Sequence, residues 1–234
     1  MTEKKGKLWI VGTPIGNLDD MTIRGKRVLE EADLILAEDT RRMRSLLSSL
    51  GIENKDVVSL NMHNQEERLS FIIRKLDEGA EIALSSDAGM PVISDPGAKI
   101  IRICRDRGFE VDVSPGPSAV TSAIAISGFP GSHFTFLGFL PRGKNRRRLL
   151  RKISRGSYGE SLIVFFESPF RLMETLREIL EIIGDREIFI GRELTKLFQE
   201  SFFGCVSDAI QKFAFSEVKG EITVVLSGRD EEDV

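Results

Sequence analysis

The chain has 234 residues, which suits one large domain or two domains of about 115 residues each. Hydrophobic residues make up 41%, enough for a sizeable core, and the net charge of −3 gives no overall field that would attract nucleic acid or an anionic membrane. The apolar run near the N-terminus is far too short for a signal peptide or a membrane span, and neither cysteine lies in a CxxC motif. We therefore expect a cytoplasmic protein with free thiols and no membrane partner.

The first half of the chain alternates between strand and helix signals. Short apolar runs predict strands over 8–11, 34–37, 57–60, 82–84 and 109–113. Between them, apolar residues at helical spacing predict helices over 22–31, 43–50 and 69–76 and a fourth around 100–104. This alternation indicates an α/β domain with a mainly parallel sheet covered on both faces.

The second half has a different texture. A small-residue helix opens at PGPSAV from Pro115, and strands are predicted over 134–140, 162–166, 187–191, 200–204 and 221–226, with the last two antiparallel to each other. A helix follows the second of these strands, with Phe170, Met173, Leu176 and Leu180 facing inward. We expect domains over 1–116 and 117–234, a mixed second sheet, and a frayed acidic tail over 228–234.

Common nucleotide and metal signatures are absent from the sequence. GFLPRGKN over 138–145 approaches the phosphate loop GxxxxGK[ST], but Asn145 replaces the hydroxyl residue that would hold magnesium. No GxGxxG follows the first strand, and no GxSxG is present. His63 and His133 lie far apart without a cysteine cluster, so we expect no metal site.

Three turn-rich loops follow predicted parallel strands: GTPIGN over 12–17, SSDAGMPVISDPG over 85–97 and SPGPSA over 114–119. Ligands of open parallel sheets settle beyond such strand ends. None of the loops contains a cation, and Asp87 and Asp95 would repel a polyphosphate. A cationic ligand such as S-adenosylmethionine fits better, because a carboxylate bonds strongly to its positive groups. The alternative is that Asp87 and Asp95 merely cap turns and the following helix.

Eight motifs occur in order along almost the whole chain: TPIGNL, AEDTR, SDAGMPVISDPG, PGPSA, GFLPR, ESPFRL, GRELTK and KGE. Together they resemble the tetrapyrrole methylase superfamily. The AEDTR and GRELTK versions are similar to its ribosomal RNA branch, which methylates a cytidine ribose 2′-hydroxyl in the decoding region of 16S rRNA, within the 30S ribosomal subunit. Gly12, Met90 and Phe170 stand where we expect other residues.

This resemblance implies two α/β domains with S-adenosylmethionine in the cleft between them, and a homodimer. It also implies that the cofactor is bound by residues from both domains. Mapped motif by motif, these residues are Pro14, Ser86, Asp87, Ala88, Met90, Ser118, Ala119, Phe166, Leu194 and Gly220.

Transfer of a methyl group to a ribose hydroxyl calls for a base or hydrogen-bond acceptor beside that hydroxyl. Glu167, Glu193 and Lys196 are the candidates, because their motifs border the implied cleft. Lys196 would act as a base only with a lowered pKa. The alternative is that Glu193 and Lys196 pair with each other or with arginines.

A basic segment over 142–155, RGKNRRRLLRKISR, contains eight cations and no acid. On an acidic chain this favours contact with RNA phosphates, although a solvated helix face is the usual explanation for charged residues. A second basic cluster follows Glu38 and Asp39, and we expect Asp39 and Arg41 to position the target nucleotide. The predicted substrate-binding residues are Asp39, Arg41, Arg42, Arg142, Lys144, Arg146, Arg147 and Arg148.

Two other functions remain open on the sequence. A methylase for a small tetrapyrrole of the precorrin type would share the fold, and carboxylated macrocycles also attract cations. A nucleic-acid-binding protein without catalysis would explain the basic segment but has no reason to bind a sulfonium ligand.

Overall fold

A computed structural model describes residues 5–215 and 217–228 of the chain. The chain divides into two compact α/β units, residues 1–118 and 119–234. The predicted acidic tail over 228–234 lies, apart from Gly228, outside the described residues. No helix in the described part of the chain is long and apolar enough to cross a membrane.

The first unit is built on a five-stranded parallel sheet in the order β3-β2-β4-β1-β5. Each strand predicted from an apolar run is confirmed to within about two residues, as element ends usually are. Its strands are β1 (Lys7–Val11), β2 (Leu34–Ala37), β3 (Val57–Ser59), β4 (Glu81–Ser85) and β5 (Glu110–Ser114). Its helices are α1 (Ile23–Glu31), α2 (Thr40–Ser49), α3 (Gln65–Asp77) and α4 (Ala98–Asp106).

Two hydrophobic clusters flank this sheet. Residues of β1, β2 and β4 pack with α3 and α4 in one cluster, and residues of the same strands pack with α1 and α2 in the other. The central strands are therefore buried on both faces, which explains why they read as continuous apolar runs rather than alternating ones.

The second unit has a mixed five-stranded sheet in the order β6-β7-β10-β8-β9. β6 and β7 are parallel, whereas β10 runs antiparallel to both β7 and β8, and β9 runs antiparallel to β8. Its strands are β6 (Phe134–Phe139), β7 (Leu162–Glu167), β8 (Glu187–Arg192), β9 (Glu200–Cys205) and β10 (Ile222–Leu226). Its helices are α5 (Ala119–Ser127), α6 (Lys144–Ser154), α7 (Leu172–Ile182) and α8 (Val206–Phe213).

Two sequence predictions for this unit are wrong, and one helix was missed. β9 and β10 are not antiparallel to each other, because both run antiparallel to β8 and so share one direction. Helix α8 was not predicted. Phe170 does not face the core, because α7 begins two residues later, at Leu172, and the Phe170 side chain is exposed.

Candidate functional site

In the first unit, the loops that follow β1, β4 and β5 meet at one edge of the sheet. The three strands are neighbours and parallel, so their carboxyl ends coincide. The backbone N–H of Thr13 donates to the carbonyl oxygen of Gly89 over 3.0 Å, and the N–H of Gly89 donates back over 3.1 Å. Likewise, the Gly12 N–H donates to the Ser114 carbonyl oxygen over 3.1 Å. This is the edge at which open parallel sheets bind ligands.

The backbones of the β1 and β5 loops approach too closely for side chains between them. A Cβ on Gly12 would lie 2.7 Å from the Gly116 Cα and 2.7 Å from the Met90 Sδ. A Cβ on Gly116 would lie 2.8 Å from the Gly12 backbone. Gly12 and Met90, two of the three residues that depart from the expected motifs, therefore occupy one site, where the missing side chain of Gly12 leaves room for the thioether.

The loop after β2 joins this edge through Asp87. The backbone N–H of Asp39 donates to Asp87 Oδ1 over 3.0 Å, and an Arg42 Nη1 lies 3.5 Å from Asp87 Oδ2. Asp39 caps α2 by accepting from the Arg41 N–H over 2.8 Å, and the Arg41 guanidinium bonds to the same carboxylate. These hydrogen bonds from Arg41 hold the pKa of Asp39 at about 2. Asp39 and Arg41, both predicted to contact substrate, are thus paired with each other.

Three carboxyl groups concentrate negative charge here: those of Glu38, Asp87 and Asp95. Burial raises the pKa of Asp95, helped by Asp87 and opposed by a hydrogen bond with Ser86. Burial and then the charges of Asp95 and Asp87 raise the pKa of Glu38, against the effect of Arg42. Asp95 does not cap the next helix, because the N-cap position of α4 is occupied by Gly97, which has no side chain to accept a capping hydrogen bond. A ligand with positive groups would relieve this excess charge.

The remaining cofactor-binding predictions in this unit lie around the same loops. Ser86 is buried, and its hydroxyl oxygen lies 3.3 Å from the carbonyl oxygens of both Ala88 and Gly89. Pro14 is half-buried beside Thr13, and Ser118 is the last residue of the unit. Ala119 is the first residue of α5, in the second unit.

In the second unit, the carboxyl ends of β6, β7 and β8 lie at one sheet edge. This follows from the register, since Ile222 of β10 pairs with both Glu167 and Arg192. The cofactor-binding predictions for this unit fall here. Phe166 lies at the end of β7, buried Leu194 packs on Gly191, and Gly220 lies against the Glu193 carboxyl group.

Glu167 does not fit the predicted role of a base. Its side chain lies in the interior, with 1% of the residue exposed. One oxygen accepts from the Ser168 N–H over 2.8 Å and lies 3.2 Å from Arg171 Nε, and the other accepts from the Thr175 hydroxyl over 2.6 Å. With both oxygens engaged inside the protein, Glu167 holds structure together rather than reaching a substrate.

Glu193 and Lys196 form the pair that the sequence left as an alternative. Lys196 Nζ lies 2.9 Å from Glu193 Oε1 and 3.0 Å from Glu221 Oε2. Burial lowers the pKa of Lys196, but hydrogen bonds to the two carboxylates outweigh it and leave the pKa raised. Burial likewise raises the pKa of Glu193, but the Glu221 N–H and Lys196 outweigh it and leave it lowered. The pair is therefore charged at neutral pH, and a neutral Lys196 base does not fit.

Arg146 does not fit the predicted contact with RNA. Only 1% of this arginine is exposed. Its Nε donates to Glu178 over 2.5 Å, its Nη1 donates to the Thr175 hydroxyl over 3.0 Å, and its Nη2 forms an ion pair with Glu174. Arg146 therefore anchors α6 to α7, and Thr175 connects it to Glu167.

The other cations of the basic segment divide into two groups. Arg147 is half-buried and bonds to Glu181 with both Nη atoms, which raises its pKa. Six others are exposed, and within the described part of the chain none forms an ion pair: Arg142, Lys144, Arg148, Arg151, Lys152 and Arg155. Five of these six, Lys144, Arg148, Arg151, Lys152 and Arg155, are related by spacings of three, four or seven residues and therefore share one face of α6. We call this surface the basic face.

Over residues 5–215 and 217–228, no group of three or more His, Cys, Asp and Glu side chains is arranged to hold a metal ion.

A family profile described as Tetrapyrrole (Corrin/Porphyrin) Methylases matches residues 7–210. The chain belongs to this family.

Its relatives include proteins named ribosomal RNA small subunit methyltransferase I. The one from Thermotoga maritima is 60% identical over 96% of this chain and 100% of its own length. The one from Halalkalibacterium halodurans is 42% identical over 98% of this chain and 78% of its own length, and the one from Bacillus subtilis is 42% identical over 98% and 77%.

Solved structures share the fold at low identity. A cobalt precorrin-4 methyltransferase superposes with a TM-score of 0.69 at 18% identity, covering 94% of each chain. A diphthine synthase superposes with a TM-score of 0.72 at 14% identity, covering 95% of this chain and 90% of its own. These likenesses establish the α/β fold of the tetrapyrrole methylases.

Proposed function

We propose that this chain is an S-adenosylmethionine-dependent methyltransferase that acts on the RNA of the small ribosomal subunit. The main support is the full-length, 60% identity to a protein named ribosomal RNA small subunit methyltransferase I. The basic face of α6 is consistent with a polyanionic substrate.

The loops of the first unit fit a cationic methyl donor. Glu38, Asp87 and Asp95 supply negative charge, and Asp87 and Asp95 add to the effect of burial in raising the pKa of Glu38. The close contact of Gly12 with Gly116 leaves backbone rather than side chains facing a ligand. We propose that these loops, with Pro14, Ser86, Ala88, Met90 and Ser118, hold the donor, together with Ala119, Phe166, Leu194 and Gly220 of the second unit.

The bound donor supplies an electrophilic methyl group on a sulfonium. The chain must then align the acceptor hydroxyl with that group and exclude water. Of the three predicted catalytic residues, Glu193 fits best. Its Oε1 accepts from Lys196 and from the Glu221 N–H, whereas Oε2 has no partner among the described residues. Because its pKa is lowered, Glu193 is a weak base, and we assign it the role of orienting the hydroxyl by accepting its hydrogen bond.

We assign the RNA phosphates to the basic face and withdraw Arg146 from the predicted contacts. Arg147, held by Glu181, is left as a helix anchor. Asp39, Arg41 and Arg42 stay candidates for positioning the target nucleotide. The expected homodimer, the cytoplasmic location and a cofactor site shared by the two units also stay predictions.

The deciding experiment incubates unmodified 30S subunits with a donor labelled at its methyl group, then maps the labelled nucleotide. We expect label on a ribose 2′-oxygen of a cytidine in the decoding region. Label on a base, or on a precorrin-type macrocycle supplied in parallel but not on 30S subunits, would contradict the proposal.

Calorimetric titration with S-adenosylmethionine tests the cofactor separately from the RNA. Binding is expected without RNA present. A protein that binds 30S subunits but not this donor would instead be a nucleic-acid-binding protein without methyl transfer.

A further inference from the structure

Phe139, at the end of β6, presents an aromatic ring to solvent. The residue is 60% exposed and ends a strand at the edge of its sheet. Its ring centroid lies 5.5 Å from that of Phe166, and the Phe166 ring in turn contacts Phe136 at 4.9 Å. One side of the Phe139 ring is therefore supported by the Phe166 ring, while much of its surface stays open.

A β-bulge turns Phe139 toward these rings. Phe136 pairs with Val164 and Phe139 pairs with Phe166. Between these two pairs, β6 therefore contains one more residue than β7. Gly138, inside this irregularity, has a φ of +63°, which favours glycine. In a regular strand Phe139 would share the face of Leu137, which packs against the core. The extra residue instead puts Phe139 on the side of Phe136.

Two exposed cations follow this ring closely. Arg142 and Lys144 come three and five residues after Phe139. Three residues span at most about 11 Å, so the Arg142 backbone lies within about a nucleotide's length of the ring. Lys144 is also the first residue of α6 and so the start of the basic face.

We propose that Phe139 stacks on an unpaired base of the RNA substrate while Arg142 and Lys144 hold the adjoining phosphates. An open ring beside cations matches a single-stranded nucleotide, which offers a flat base and a negative phosphate together. A ring for a protein partner would not need the cations. This inference rests on the proposed function and adds a subsite to it.

The test compares methylation of 30S subunits by the wild type and by three variants: F139A, F139L and F139W. Loss of one stacked base should raise KM for 30S subunits by about 5- to 150-fold in F139A. F139L, which keeps an apolar side chain without a ring, should behave similarly, and F139W should stay near the wild type. The matched control is F134A, because Phe134 is a half-exposed residue at the opposite end of the same strand.

Three further readouts make the result decisive. The dissociation constant for S-adenosylmethionine, the midpoint of thermal unfolding and the sedimentation coefficient should be unchanged in F139L. An unchanged KM overturns the proposal, as does weakened donor binding, which would assign the ring to the cofactor, or a changed mass, which would assign it to a protein interface. If the wild type does not methylate 30S subunits, the proposed function fails together with this subsite. If the wild type is active and KM is unchanged in F139A and F139L, only the subsite is overturned.

Discussion

Single side chains at the proposed site are held in charged pairs. Glu193 accepts from the Glu221 N–H over 2.8 Å and from Lys196 over 2.9 Å, and Arg41 bonds to the carboxylate of Asp39. Hydrogen bonds to a charged carboxylate are stronger than neutral ones and fix its orientation. A residue that orients a substrate hydroxyl benefits from this, because its own position is set before the substrate arrives.

Replacing Glu193 by glutamine should lower the free energy of unfolding by about 1 kcal/mol at pH 7, because a neutral amide oxygen accepts from Lys196 and from the Glu221 N–H more weakly than a carboxylate does. The pKa of Glu193 is lowered in the folded state from an ordinary value of 4.5. Its stabilisation is therefore complete above that value and is lost as pH falls through the folded pKa.

Urea unfolding of the wild type and E193Q at pH 7 and at acid pH measures this difference. The control is E187Q, because Glu187 is an exposed glutamate at the start of β8, the strand that leads into Glu193. A difference that persists undiminished at acid pH would contradict the pairing. If Glu193 also orients the substrate, E193Q should lower kcat while E187Q should not.

Residue-level predictions from the sequence succeed where a pattern is local and fail where it depends on packing. Glu193 and Lys196 lie only three residues apart, and their pairing is one of the alternatives that the sequence leaves open. Asp95 has the chemistry of a helix cap, yet the chain turns at Gly97, where the φ of +127° suits glycine. Pairwise spacing does not reveal which of several neighbouring polar residues the backbone will present.

Helices α6 and α7 and strand β7 are joined by a buried polar chain. Arg146 of α6 donates to the Thr175 hydroxyl, which donates to Glu167 of β7. Arg171 approaches the same glutamate, and its Nη2 donates to the Leu140 carbonyl oxygen over 2.5 Å. This chain links the helix that bears the basic face to the loop that follows Phe139.

Replacing Thr175 by valine removes the central hydroxyl at nearly constant volume. Both Arg146 and Glu167 lose a partner in the interior, so the free energy of unfolding should fall by about 2–3 kcal/mol. T175S keeps the hydroxyl and should lose less. Denaturation in urea gives both values, and equal losses in T175V and T175S would show that packing of the methyl group, not the hydroxyl, matters here.

The burial of Arg146 could have been predicted from its position in the sequence, although not from the composition of the basic segment. Arg146 lies four residues before Leu150 and seven before Ile153, and both of these are buried. Helical periodicity therefore assigns Arg146 to the inner stripe of α6. A count of charges over 142–155 does not distinguish between the eight cations. Helical spacing does, because it separates Arg146, which anchors α6 to α7, from the residues of the basic face. Thr175 gives a similar signal, a polar residue among Leu172, Leu176 and Ile179.

The molecule combines a net charge of −3 with the concentrated positive charge of the basic face on α6. Such a distribution should give binding to RNA that depends steeply on salt, although the chain as a whole repels polyanions. The fold could be predicted at this scale from the alternation of strands and helices and from the eight motifs. The direction of β9 could not, because it depends on pairing within the mixed sheet. Helix α8 does have a sequence signal, since its buried residues Val206, Ala209 and Phe213 lie three and four residues apart.

Replacing Arg148, Arg151 and Lys152 together by alanine should reduce the slope of log affinity for 30S subunits against log salt by about 2, since three phosphate contacts are lost. The thermal midpoint should stay close to that of the wild type because these side chains are exposed. The control replaces three exposed cations elsewhere, Lys26, Arg27 and Arg105, and so changes the net charge equally. Equal slopes for both triple variants would mean that overall charge, not the basic face, governs binding.

The bulge in β6 has a second consequence, for assembly. β6 is the last strand of its sheet, and a terminal strand offers unpaired N–H and C=O groups to which a foreign strand can add. The extra residue between Phe136 and Phe139 breaks the regular spacing of those groups. The bulge that turns the Phe139 ring outward thus also makes this edge of the sheet a poor template for strand addition. This protects a chain with exposed phenylalanines from aggregating.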